Sequence, residues 1–448
     1  MFIYLQQYVA KFITHMFIDQ PNNSRPRVVI IGGGFAGLQL AKKLKNAPVE
    51  IMMLDKHNYH TFQPLLYQVA MGAIPADSIA FPIRRIFTYQ DNFSFNLTNV
   101  DAINADTNTV VTNIGDIHYD YLVIATGSNT NFFGNKELEN CTMPMKNVPE
   151  ALNLRGLTLQ HLEKAIITKD KEEKDALMNF VVVGGGPTGV ELAGALSEMR
   201  HLILEKDYHG LSKHDMKVYL VEGKDRLLAA MSDGASKKAK EFLQANDVII
   251  YNSVHVESYD GLTLKIDDGT ILKTHNVFWA AGVMGEVPDG IEKATIVRGS
   301  RIQTDEINRV KGYENIFAIG DVSAIISEEY PNGHPGVAPA AIQQGAWLAK
   351  NLVHIINNDP TEPFKYNDKG TLATIGRNKA VADLGKIHFQ GFFAWFLWGF
   401  VHILSLAGFS NKTSVILTWI INYFTKNSDN RLIVRSFNRS TRTVEPEK

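Results

Sequence analysis

The chain has 448 residues, enough for two to four domains. With 45% hydrophobic and 21% charged residues it is neither disordered nor collagen-like. Lys plus Arg (45) against Asp plus Glu (47) leaves a formal charge of −2, so no nucleic-acid partner is expected; the lone cysteine, Cys141, excludes a disulfide framework, a cysteine-only metal site and dithiol redox chemistry.

Residues 1–18 are apolar-rich but lack the basic n-region and cleavage site of a signal peptide. Phe2, Leu5, Val9, Phe12 and Met16 share one helical face. A helix within 1–26 is expected, docked on the body or lying on a membrane surface.

Val28–Ile31 is a continuous apolar run of the kind a buried parallel strand needs, and it feeds Gly32, Gly34 and Gly37 in G-x-G-x-x-G spacing before a helical pattern opens through Phe35 and Ala36. Glycines there permit a tight turn and let backbone N–H groups approach a pyrophosphate at the helix N-terminus. A second strand, Val49–Leu54, ends on Asp55 and Lys56, with Asp55 lying 23 residues after Gly32. A carboxylate at that place accepts hydrogen bonds from an adenosine ribose.

The pattern recurs. Phe180–Val183 leads into Gly184, Gly186, Pro187, Thr188 and Gly189, then into a helix, and Val218–Val221 ends on Glu222. Glu222 lies 38 residues after Gly184, so an insertion is expected around Leu204–Met216. An acidic strand end favours an unphosphorylated ribose, hence NADH over NADPH, although Arg226 follows four residues later. Two dinucleotide loops imply two dinucleotides, one giving a hydride and the other receiving it, which is flavin chemistry.

With these motifs the chain resembles the two-dinucleotide-binding-domain flavoproteins. Tyr121–Gly127 (YLVIATG, with Ala125, Thr126 and Gly127) is similar to the turn closing the first FAD segment, and Val277–Val283 (with Ala281 and Gly282) to its NADH-domain counterpart. Asn315–Val322 resembles the late flavin motif, in which Asp321 would hydrogen-bond the ribityl chain. The motif order implies an α/β fold with two Rossmann-like domains, the FAD domain split by an inserted NADH domain. The expected boundaries are 27–150 and 286–385 for FAD, 151–285 for NADH and 386–448 for a C-terminal membrane-association region.

The segment after Asp55, KHNYHTFQPLLYQVA, contains no cysteine, which removes the sulfur-dependent branches. HTFQPLLYQVA, Ile79–Ile86, Gly336–Gly345 and Ala373–Leu384 resemble type II NADH:quinone oxidoreductases, the non-pumping NADH dehydrogenases. The resemblance implies non-covalent FAD, NADH as substrate, and menaquinone or ubiquinone as acceptor. In that family an A-Q-x-A-x-Q motif lies beside the quinone path. Here Ala338 and Gln343 match it and Pro339 replaces the first glutamine, so any quinone contact implied for that glutamine is either absent or supplied elsewhere, with Gln344 the candidate. The resemblance also implies a proton-handling role for Glu191, in the first helical turn after the second loop, and for Lys379 as its buried partner.

Ile387–Asn411 carries no formal charge, but Gly391, Gly399 and Gly408 interrupt it and Phe and Trp crowd it. Phe392–Phe409 is therefore expected to lie on one leaflet rather than span, as a peripheral anchor on the cytoplasmic face of the cell membrane. Arg431, Arg435, Arg439 and Arg442 follow near-helical spacing that suits anionic headgroups. A homodimer is compatible with this arrangement. Two alternatives stay open: an NADH-dependent flavin reductase serving a protein carrier or oxygen, and a non-catalytic NAD(H) sensor.

Overall fold

The structure, a computed structural model, describes residues 25–425, 430–433, 436–438 and 443–444. The expected N-terminal helix and Arg435, Arg439 and Arg442 lie outside the described residues. In chain order the elements that carry the argument are β1 (Arg27–Ile31), α1 (Phe35–Lys43), β2 (Glu50–Asp55), α2 (Leu66–Ala70), β3 (Phe93–Leu97), β4 (Tyr121–Ile124), β5 (Met143–Pro144), α3 (Val148–Ile167), β6 (Asn179–Val183) and α4 (Pro187–Leu202). There follow β7 (Lys217–Glu222), β8 (Val248–Asn252), β9 (Asn276–Trp279), β10 (Ile316–Ala318), α5 (Ala338–Asn357), β11 (Thr371–Thr374), β12 (Ala380–Leu384), β13 (Ile387–Gln390), α6 (Phe392–Ser405) and α7 (Phe409–Thr425).

The chain divides into two compact units. The first contains Pro82–Asn129, Val283–Asp368 and the residues up to His60. Its five-stranded sheet has the order β10-β4-β1-β2-β3, with every neighbouring pair parallel. All five residues of β1 are buried, as a central parallel strand covered on both faces requires. Helices α1 and α5 cover one face, where Leu40, Leu44, Leu348 and Leu352 close a core with Val28, Ile30 and Ile51.

The second unit contains Thr61–Phe81, Thr130–Gly282 and the chain from Lys369 onward. Its sheet repeats the same logic in the order β5-β9-β6-β7-β8, again all parallel. The units therefore divide the chain at different points from the expected boundaries. Residues 143–144 belong to the second unit because β5 pairs with β9 as an edge strand. Residues 61–81 belong there because α2 packs on α3 and α4, and 369–385 because β11 packs on α4. The expected insertion is real: α4 runs for sixteen residues and is followed by a short helix, Leu204–Asp207, before β7 begins.

The C-terminal apolar run is two helices rather than one stretch. α6 has fourteen residues and α7 seventeen, about 21 and 26 Å long at 1.5 Å per residue. Between them Gly408 takes φ +79°, and a side chain there would collide with the Phe81 ring. On α6, Ala394 and Trp398 face inward over β12, whereas Phe392, Phe393, Phe396, Phe400 and Leu404 are each more than half exposed. Leu417, Ile421 and Phe424 on α7 are likewise turned to solvent. Among the described residues no helix is long and apolar enough to cross a membrane. The expected arginine stripe fails at its first member: Arg431 lies in a non-helical segment and pairs with Asp207 at 2.5 Å, satisfying its charge inside the fold.

Candidate active site

The two glycine loops are built alike. Gly32 and Gly184 have φ +108° and +110°, a backbone conformation that side-chain-bearing residues rarely adopt. A side chain on Gly32 would strike the Ala125 carbonyl, and one on Gly184 the Ala280 carbonyl at 2.8 Å. Gly37 and Gly189 press against the carbonyls of Gly32 and Gly184, so a methyl group at either would force strand and helix apart. By contrast, a Cβ on Gly34 or Gly186 meets nothing within 4 Å. These two residues cap α1 and α4 without any side-chain hydrogen bond to the first-turn amides. Each loop is thus locked on its inner side and open on its outer side, where N–H groups at a helix N-terminus suit a pyrophosphate. Phe35 and Ala36 open α1 beyond the first loop, and exposed Pro187 and Thr188 open α4 beyond the second.

The acidic strand ends brace the loops. Asp55 Oδ2 accepts from Gly33 N at 2.6 Å and Oδ1 from His57 N at 2.7 Å. Glu222 does the same with Gly185 N, and with Lys224 N at 2.7 Å. An ionised carboxylate has about four acceptor sites, so both can still receive ribose hydroxyls. Burial raises the Asp55 pKa, opposed by the Gly33 and His57 N–H groups. Arg226 is committed to Asp233 and to the Ala229 and Met231 carbonyls, away from the role of a 2′-phosphate ligand.

In the first unit, Lys56 pairs with Glu286 at 2.7 Å, and Thr126 Oγ1 donates to the Glu286 carbonyl at 2.5 Å. Gly127, φ +77°, turns the chain after Ala125; in the second unit Gly282, φ +72°, does so after Ala281. Ser128 Oγ donates to Asp321 Oδ2 at 2.7 Å. Ala338 begins α5, where Pro339 costs no helical hydrogen bond because first-turn amides have no partner in the helix. Both glutamines that follow have backbone partners. Gln343 exchanges two 2.9 Å hydrogen bonds with the Asn367 backbone, and Gln344 Oε1 accepts from Gly320 N at 2.6 Å, so the first amide and the second side-chain carbonyl are spent on holding loops.

In the second unit an apolar cavity of about 520 Å³ opens between α4, β11, α6 and α7. Glu191 lines it from the second turn of α4, not the first, only 8% exposed, and accepts from Thr374 N at 3.4 Å. Burial pushes its pKa up to about 8, opposed by the Thr374 N–H and the Trp398 indole. Glu198, seven residues along the same helix, lines the same cavity, and burial raises its pKa too. The expected Glu191–Lys379 pair does not form: Lys379 Nζ donates to Asn246 Oδ1 at 2.6 Å, and its charge acts on Glu198 instead. Glu198, Tyr67 and Trp398 were not singled out by sequence; the spacing 191, 195, 198 on one helix was the available signal for the first.

The family model described as "Pyridine nucleotide-disulphide oxidoreductase" matches residues 26–345, and one described as "NDH2 C-terminal domain" matches residues 369–426. The chain is 36% identical over 416 residues to the type II NADH:quinone oxidoreductase NdhA of Mycobacterium tuberculosis, covering 89% of this chain and 87% of that one. It belongs to the type II NADH:quinone oxidoreductases. Their second M. tuberculosis member, Ndh, is also 36% identical, over 89% of this chain and 88% of its own. The solved structure of NDH2 from Plasmodium falciparum in complex with NADH shares the fold, with a TM-score of 0.83 at 20% identity over 92% of this chain and 100% of that one. Type II NADH dehydrogenases are membrane-associated flavoproteins that use FAD.

His60 is a further residue that sequence reading passed over. Its Nδ1 lies 3.0 Å from the Gly33 carbonyl and its ring meets Phe35 edge-on, underpinning the first loop. Burial lowers its pKa to about 4, as it does for His402 beside Trp398 in the second unit. A folded pKa below the unfolded 6.5 means stability that is full above pH 6.5 and lost as pH falls toward 4. His60→Gln should therefore flatten the fall of Tm between pH 6.5 and 4.5, leaving the part due to His402, His201 and His334, whose pKa values burial also lowers; an unchanged slope would contradict the assignment.

Proposed function

We propose that this type II NADH:quinone oxidoreductase binds FAD on the first glycine loop and NADH on the second, and reduces a quinone in the cavity around Glu191. The observation that carries the proposal is a buried carboxyl group, its pKa pushed up by burial, facing an apolar cavity walled by helices with exposed apolar faces. Bound FAD would supply the hydride acceptor for NADH and the two-electron donor for the quinone. The open sides of Gly34 and Gly186 and the unpaired acceptor sites of Asp55 and Glu222 fit two dinucleotides.

In this reading Gly32–Gly37 hold the FAD pyrophosphate, Asp55 its ribose and Asp321, steadied by Ser128, its ribityl chain. Ala125–Gly127 close over it. Gly186–Gly189 hold the NADH pyrophosphate, Glu222 its ribose, and Ala281–Gly282 the near side of the nicotinamide half. Forming a quinol takes two protons. Glu191 holds one at the cavity wall, and Glu198, beside Lys379 and the half-buried Asn246, supports a supply line behind it. The exposed phenylalanines of α6 and the outer residues of α7 rest on the membrane surface as a peripheral anchor on its cytoplasmic side.

The test is anaerobic. The purified enzyme's flavin is bleached with NADH and then offered a quinone, which should restore it at a catalytic rate; flavin left reduced would refute the quinone assignment. Above pH 8 Glu191 loses its proton, so quinone-driven re-oxidation should fall with one apparent pKa near 8. Glu191→Gln should remove that limb and slow the step by roughly 10²-fold; persistence of the limb would assign it elsewhere. Glu222→Arg should weaken NADH by about 10- to 100-fold, the worth of a charged hydrogen bond to the ribose, and raise the preference for NADPH in flavin bleaching. Unchanged NADH affinity would defeat the role given to Glu222.

A further inference from the structure

We propose that Tyr67 donates a hydrogen bond to a carbonyl oxygen of the quinone, and that Trp419 and Gln68 set the direction of that proton. This inference rests on the quinone reading of the cavity. Tyr67 and Gln68 lie on α2 and Trp419 on α7. Trp419 Nε1–H donates to Gln68 Oε1 at 2.8 Å, and Gln68 Nε2 donates to the Tyr67 hydroxyl at 2.9 Å.

The chemistry of the first contact fixes the sense of the second. An indole nitrogen is a donor only, so Gln68 must present its carbonyl to Trp419; the flipped amide would set N–H against N–H. The amide NH2 is then the group that meets Tyr67, and the hydroxyl oxygen is the acceptor. With that side of the oxygen occupied, the phenolic proton is left for the cavity that Tyr67, Gln68, Glu191, Glu198 and Trp419 line together. Tyr67 is buried, and burial with the two nearby carboxyls raises its pKa well above 10, so it keeps its proton and acts as a hydrogen-bond donor rather than an acid. A quinone carbonyl is an acceptor that gains negative charge as electrons arrive, so a donor fixed in advance binds the reduced oxygen more strongly than the starting one. Tyr67 would touch the substrate; Gln68 and Trp419 act through it and are positioning residues. The arrangement also ties the quinone contact to the C-terminal helix whose outer face is apolar.

The experiment uses the full-length holoenzyme in detergent. Anaerobic bleaching by NADH identifies each preparation as folded and loaded, and re-oxidation is then followed against the concentration of a short-chain ubiquinone analogue. Tyr67→Phe keeps the ring and removes the hydroxyl. It should raise the quinone KM roughly three- to tenfold, the worth of one hydrogen bond, and lower kcat as well, because the bond strengthens as the oxygen gains charge. Trp419→Phe should raise the same KM by less. The double variant should match Tyr67→Phe within about twofold, because Trp419 has nothing left to aim. Binding of a redox-inert quinone analogue, read by tryptophan-fluorescence quenching, should follow the same order. An unchanged KM in Tyr67→Phe, or a double variant whose effect is the product of the two singles, would overturn the inference. Failure of the quinone to re-oxidise the wild-type flavin would instead refute the quinone reading beneath it.

Discussion

The structure depends on a backbone contact made twice: the carbonyl of the first loop glycine pressed against the first turn of the following helix, at Gly32–Gly37 and at Gly184–Gly189. No side chain fits there. The contact brings each helix N-terminus close to its strand end and fixes where its unpaired N–H groups point. Asp55 and Glu222 then tie the middle of each loop down by accepting its N–H, and in the proposed reading the same carboxylates also accept from a ribose. The inner surfaces of the loops are crowded and the outer ones open, which is the asymmetry a dinucleotide site needs.

In the second unit α4 does two jobs. Its N-terminus closes the second glycine loop, and further along Glu191, Ala195 and Glu198 line the apolar cavity. Gly194 lets the Ile375 backbone approach to where a Cβ would be 2.9 Å away, so the stretch of chain following β11 packs directly on this helix. Ionising a carboxyl in that setting would cost several kcal/mol, and the cheaper outcome is to keep the proton. Apolar packing is thus what pushes the Glu191 pKa up. The same packing explains the split character of α6, with Trp398 turned to the cavity and its phenylalanines turned outward.

Both loops, the acidic strand ends and the insertion before β7 were legible because each depends on residues close in sequence: an apolar run, a glycine spacing, a charge at a strand end. The break in the C-terminal apolar run was partly legible through Gly408, though nothing in the sequence tells that Phe81 packs against it. Lys379 was misassigned for a different reason. Motif resemblance says that Lys379 is present, but whether its ammonium reaches Glu191 or Asn246 depends on where distant elements pack. The same holds for Arg226 with Asp233, Arg431 with Asp207, Gln343 with Asn367, and the Trp419–Gln68–Tyr67 chain, whose ends are 352 residues apart in sequence. His60 was invisible because a histidine after an acidic strand end carries no pattern; only its burial against Gly33 gives it meaning.

The central claim is that the quinone is reduced in the Glu191 cavity. A photoreactive quinone that re-oxidises the NADH-bleached enzyme, illuminated in the dark-equilibrated complex and mapped by peptide mass spectrometry, tests it most directly. The account predicts label on α4, on the segment around Tyr67 and on α6 or α7, all suppressed by excess unlabelled quinone. Competable label confined to other parts of the chain, in a protein whose flavin the same quinone re-oxidises, would contradict it.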